Sequence, residues 1–236
     1  MRLIGLLFLV ASFLANDGFA VGPSALTWRP RDIEAASLAA DQATDARRVN
    51  VPYEVPFSEA AIFWFGRLTP TENAADARVI YREDELYVRV AAFDRRLWYD
   101  KSPSPDELTA WDAVSLFLDT GGNAGDAPDA DSYRFEAQLV WWELRDSYQV
   151  AFTGDGGDWT SASVPFTTES FWRGNAPNDD VDDRAWGAAF KIPWQSLGLS
   201  GPPAEGTTWA LAIAVHDRDD AAGTPIADQV WPEAMV

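Results

Sequence analysis

Along most of the chain apolar and polar residues alternate, with turn residues every ten to twenty positions. In ELYVRVAAF (85–93), Leu86, Val88, Val90 and Ala92 fall on one face. In DAVSLFLD (112–119), Val114, Leu116 and Leu118 do the same. DSYRFEAQL (131–139) sets Tyr133, Phe135, Ala137 and Leu139 against Arg134, Glu136 and Gln138. A period of two, carried by aromatic and β-branched residues, predicts half-buried antiparallel strands. The stretches 77–81 (ARVIY), 147–153 (SYQVAFT), 185–192 (AWGAAFKI) and 207–217 (TTWALAIAVHD) read the same way. Seven or more such strands predict an all-β chain, an antiparallel β-sandwich of jelly-roll or immunoglobulin-like kind with little helix.

Helical patterning is confined to two places. Asp32 to Arg47 is alanine-rich and suits a short helix, and IPWQSLGL (192–199) suits one turn after a strand, with Pro193 at its start. Residues 121–131 and 173–184 are Gly, Asn, Asp and Pro loops. The N-terminus has the layout of a secretory signal peptide: Arg2, an apolar run from Leu3 to Leu14, and a small-residue site at Gly18-Phe19-Ala20. That run is too short for roughly 30 Å of hydrocarbon. The expected organisation is therefore a signal peptide over 1–20 cleaved near Ala20, a lead-in over 21–44, and one sandwich domain over 45–236. DQVWPEAMV ends without a closing strand, so a chain cut before its last strand is expected. Export places the protein outside the cell or on its surface.

Composition narrows the choice of partner. The net charge is −19, from 37 acidic and 18 basic residues. A field of that sign repels phosphate backbones and anionic membrane surfaces, and costs nothing against a neutral sugar or a cation. With no cysteine there is no disulfide and no thiolate. His216 is the one histidine, which excludes a His-Glu-x-x-His zinc site and obliges any serine triad to use it. Gly-x-Ser-x-Gly is absent, and nothing singles out a carboxylate pair for glycoside hydrolysis.

Two groups of residues carry candidate chemistry. Twelve tryptophans is heavy use, and several stand beside turns, among them Trp64, Trp98, Trp111, Trp141, Trp142, Trp159, Trp172, Trp194 and Trp231. An indole stacks on the C–H face of a sugar ring, while carboxylates, amides and arginine serve its hydroxyls; indoles also fill sandwich cores. The loop after DAVSLFLD offers Asp119, Asp126, Asp129 and Asp131 to a hard cation, without the spacing of an EF-hand. A plain solvated hairpin accounts for it equally. HDRDD (216–220) poses the same choice.

The order of DELYVRVAAFD, WDAVSLFLD, DADSYRFEAQ, AWGAAFKIPWQSLGL, WALAIAVHD and VWPE resembles the family 9 carbohydrate-binding modules from about Asp76 onward. That resemblance implies a sandwich related to DOMON domains, structural calcium, and a sugar slot between two tryptophans. It places Asp112 and Asp119 on the family's two strand aspartates. It puts the sugar-contacting glutamate on Ser115, the next strand's arginine on Arg134 with Glu136 beside it, and a polar strand-end position on His216. Trp111 is the nearest match to the first stacking tryptophan, two positions closer to the strand; the second falls beyond this sequence. Asp119, Asp129 and Asp131 are the metal candidates. The leading expectation is a non-catalytic, calcium-stabilised module binding poly- or oligosaccharide, attached to a larger polysaccharide-degrading or cell-surface protein. A haem-binding electron-transfer domain and a ligand-free adhesion or scaffold module remain the alternatives.

Overall fold

The computed structural model describes residues 25–27, 60–69, 72–125, 127–139 and 145–232. The signal segment, the alanine-rich stretch over 32–47, Asp126, Trp141 and Trp142 lie outside the described residues. The described residues form twelve strands: β1 (Ala25–Thr27), β2 (Ala61–Thr69), β3 (Glu72–Tyr81), β4 (Glu85–Phe93), β5 (Ala113–Asp119) and β6 (Ser132–Gln138), then β7 (Gln149–Gly154), β8 (Trp159–Ser161), β9 (Thr167–Arg173), β10 (Ala185–Pro193), β11 (Thr208–His216) and β12 (Gln229–Trp231). Three short 3₁₀ segments, Pro105–Ala110, Arg145–Tyr148 and Trp194–Leu197, complete the described elements. Pro193 caps the last of these from outside the turn rather than opening it.

All strand pairs are antiparallel, and they form two sheets. The first runs β1-β11-β5-β6-β7-β8, with β12 beside β1 on the same edge of β11; the second runs β2-β3-β4-β10-β9. The alternation read from the sequence is what joins them. Val88, Val90, Phe190 and Ile192 of the second sheet share one buried cluster with Val114, Leu116, Leu118, Phe135 and Ile213 of the first. β1 falls inside the segment expected to be a lead-in, and it gives the first sheet part of an edge.

Strands missing from the pattern have physical reasons. In β2 the run AIFWFGRLT buries Phe65 but leaves Trp64 outside, and its register shifts between Gly66, at φ 74°, and Thr69. A bulge of this kind breaks the period of two that marks a strand in sequence. Most of the described tryptophans do core work: Trp186, Trp194 and Trp209 are buried, and Trp194 meets Trp209 edge-on at 6.3 Å. Trp231 is buried as well, 4.0 Å from Phe63 between ring centroids.

Candidate functional site

The outer face of the first sheet is built by the residues that alternate with the core. Register pairs Ser115 with Ala214 on one side and with Glu136 on the other, and pairs Phe117 with Ala212 and with Arg134. One strand further, Arg134 faces Phe152 and Glu136 faces Val150. β8 brings Trp159 opposite Gly154 at the far edge. Side chains two apart point the same way, so all of these share one surface. Ala212 and Ala214 keep the surface low along β11, and larger groups rise beside it.

The surface divides into a polar part and an aromatic part. In the polar part a continuous chain of contacts crosses three strands, β6, β5 and β11, and a loop. Arg134 Nε lies 3.2 Å from Glu136 Oε1, which lies 3.4 Å from Ser115 Oγ. Ser115 Oγ is 2.9 Å from His216 Nε2, and His216 Nδ1 is 3.0 Å from Asp228 Oδ1. In the aromatic part Phe117 and Trp159 sit 5.9 Å apart, and the Arg134 guanidinium lies over Phe152 at 3.8 Å and within 5.4 Å of the Trp159 ring. Arg134 therefore belongs to both halves. Burial raises the Glu136 carboxyl above its ordinary range, with Arg134, His216 and Ser115 opposing the shift. Burial likewise lowers the Arg134 guanidinium, against the pull of Glu136.

Of the residues the sequence singled out for ligand contact, Ser115, Arg134, Glu136 and His216 thus stand together. Trp111 stands apart, at the end of the 3₁₀ segment Pro105–Ala110, against Gly223 of the loop after β11. Phe117, Phe152 and Trp159 are the aromatic residues that lie beside Arg134. Phe117 was legible in principle, because it shares the outward parity of Ser115. Trp159 was not, because the hairpin that carries it across to Phe117 is a tertiary arrangement.

The acidic loop uses its carboxylates on itself. Asp119 accepts from the Asn123 amide and from Ser132 Oγ, and Asp129 accepts from the Asp131 amide, Ser132 Oγ and Asn123 Nδ2. Burial raises the Asp119 carboxyl. Asp131 supplies backbone groups to the loop, its carbonyl accepting from Thr120. Among the described residues the carboxylates whose oxygens converge are instead Asp94, Asp217 and Asp219. Asp112 is a structural tie: wholly buried, it accepts from the Trp98 and Arg218 amides at 2.7 and 2.8 Å.

No protein-family model matches the chain, and no curated protein matches it. Solved structures do. A candidate carbohydrate-binding protein from Bacteroides uniformis aligns over 73% of this chain and 77% of its own, with a TM-score of 0.53 and 12% identity. Two structures of a family 9 carbohydrate-binding module from Caldicellulosiruptor kristjanssonii, one with cellotriose and one with glucose, align with TM-scores of 0.47. They share 20% and 19% identity with this chain and align over 72% and 75% of it, and 72% and 77% of their own lengths. The chain is an all-β sandwich of two antiparallel sheets, and in fold it is similar to the Bacteroides uniformis structure.

Proposed function

We propose that the outer face of the first sheet binds a neutral carbohydrate without transforming it. The observation that carries this reading is the meeting of Arg134, Glu136, Ser115 and His216 with Phe117, Phe152 and Trp159 on one sheet face, where Arg134, His216 and Trp159 are partly exposed. A pyranose presents an apolar C–H face ringed by hydroxyls, and such a surface answers both parts. The similarity in fold to a candidate carbohydrate-binding protein supports the same reading. Secretion through the N-terminal segment belongs to the proposal, and a soluble glycan outside the cell is the natural ligand class.

Ser115, His216 and Asp228 stand in the order of a hydrolase triad, but the geometry around Ser115 argues against that use. Ser115 lies mid-strand between β11 and β6, with ladders on both sides, and only 2% of it is exposed. Its neighbouring amides are committed to those ladders and cannot form an oxyanion hole, and no strand-to-helix elbow lifts the hydroxyl toward a substrate. A binding surface accounts for the same hydrogen bonds without those parts.

Affinity electrophoresis through gels containing neutral β-glucan, xylan or mannan tests the proposal. At least one polysaccharide should retard the protein. Arg134→Ala and Trp159→Ala should each weaken that retardation about tenfold, while Trp64→Ala on the opposite sheet leaves it unchanged. Retardation that survives both first-sheet substitutions in folded protein would remove the site from this face.

A further inference from the structure

The outer face of the second sheet carries exposed aromatic rings next to arginines. Trp64 of β2 is 60% exposed and Phe93 of β4 is 43% exposed. Register sets Trp64 opposite Asp76, Asp76 opposite Ala91, and Ala74 opposite Phe93. These residues alternate with Phe65, Ala75, Ala77 and Ala92 of the core, so they share the outward side. Ala74 and Ala91 adjoin Asp76, are both partly exposed, and add only methyl groups to this surface.

The charges on this face are unevenly matched. Arg78 stands directly opposite Arg89 across the β3–β4 ladder, an arrangement that destabilises a pair of strands. Asp76 answers one of the two, pairing with Arg78 at 3.0 Å. Glu169 of β9 is likewise taken, by Lys191 at 2.8 Å. Among the described residues no carboxylate pairs with Arg89, nor with Arg173 at the end of β9. Burial and then the Arg78 charge lower the Arg89 guanidinium, with Asp76 opposing from further off. An anion brought to this face would relieve that strain on the charged form. Arg89 is also held ready, because its guanidinium lies over the Phe171 ring at 4.2 Å. A guanidinium stacked in this way loses little side-chain freedom on meeting a ligand.

We propose that this face is a second saccharide site, for an oligosaccharide that carries a uronate ring. Its C–H faces would stack on Trp64 and Phe93, and its carboxylate would meet Arg89, with Arg78 and Arg173 adding positive charge. Trp64 and Arg89 are two strand spacings and one two-residue step apart, about 10 Å across the sheet and about 7 Å along it. One ring stacked on Trp64 does not cover that separation, whereas a short oligosaccharide does. Planar, forked arginine suits a carboxylate in particular. The net charge of −19 repels a long polyanion, so the fitting ligand is a mostly neutral glycan with isolated uronate rings. The site lies on the opposite sheet from Arg134 and stands whether or not that first face binds sugar.

Calorimetric titration with two probes tests this: cellotriose, and cellotriose with one glucose ring oxidised at C6 to glucuronate. The Trp159→Ala chain serves as host, so that binding on the first sheet does not contribute. It should bind the acidic probe at least about tenfold more tightly than cellotriose. Arg89→Lys keeps the charge but loses the fork, and Trp64→Ala removes an exposed ring. Added singly to the host, each should leave the near-ultraviolet circular dichroism of the fold in place and weaken the acidic probe about tenfold. Equal binding of the two probes, or no binding of either, would overturn the proposal. So would full affinity for the acidic probe in both added variants, or tighter binding of a tetraglutamate peptide than of the acidic probe.

Discussion

A hydroxyl at position 115 changes what the carboxylate beside it has to do. Glu136 faces Ser115 across the ladder, and Arg134 on its own strand is its cationic partner. Its folded pKa is raised because burial outweighs those attractions. A raised carboxylate contributes its stability fully below the unfolded pKa and loses it as pH rises through the folded value. Ionising Glu136 therefore costs the fold something, as it commonly does for groups in buried surroundings. Glu136→Gln should melt higher than wild type at pH 7, with the gain disappearing near pH 4, and should bind polysaccharide more weakly at both. A variant that lost stability at pH 7 would show that Arg134 and Ser115 hold Glu136 for structural reasons. His216 and Asp228 extend the same chain, so the polar half of the face acts as one connected unit rather than four separate contacts.

At the scale of elements, the second sheet shows how closely strands are fitted to one another. Gly187 lies within β10, between Ala91 of β4 and Phe171 of β9. A Cβ added there would stand 2.1 Å from the Val90 carbonyl oxygen and 2.4 Å from the Phe171 ring. Neither can yield cheaply, because the carbonyl is backbone and Phe171 lies beneath the Arg89 guanidinium at 4.2 Å. Gly187→Ala should therefore destabilise the domain by about 2 kcal/mol in urea unfolding, through overpacking. Binding to polysaccharide should persist while the domain is folded, since Gly187 belongs to the other sheet. Asp112 plays the complementary part at the edge of β5, where its two amide acceptances draw the segments around Trp98 and Arg218 onto one strand end. That explains its presence next to Trp111 without any role in ligand contact.

Charge and ligand class meet at the scale of the molecule. A net charge of −19 would make affinity for any charged polymer strongly dependent on salt. A neutral glycan held by stacking and hydrogen bonds has no such dependence. Retardation in affinity gels should thus change by less than about twofold between low and high sodium chloride. A steep response would point to an ionic ligand and to Arg134 acting as a charge rather than as a hydrogen-bonding and stacking group.

The residues that face the core were readable from the chain alone, because a period of two is a local property and burial on one side enforces it. That is why alternation alone sets Val114, Leu116 and Leu118 inside and Ser115, Arg134 and Glu136 outside. His216 could be placed at a strand end, and its contact with Ser115 needed only the pairing of β11 with β5. Which strands pair, however, is fixed by long-range packing, and no local signal carries it. The hairpin that brings Trp159 to Phe117, the bulged strand β2, and the short edge strands β1 and β12 all depend on that packing. So does the convergence of Asp94 with Asp217 and Asp219: three aspartates on two sheets become neighbours only when the sandwich closes. Local alternation sets the two faces of each strand; long-range packing selects which of those faces meet.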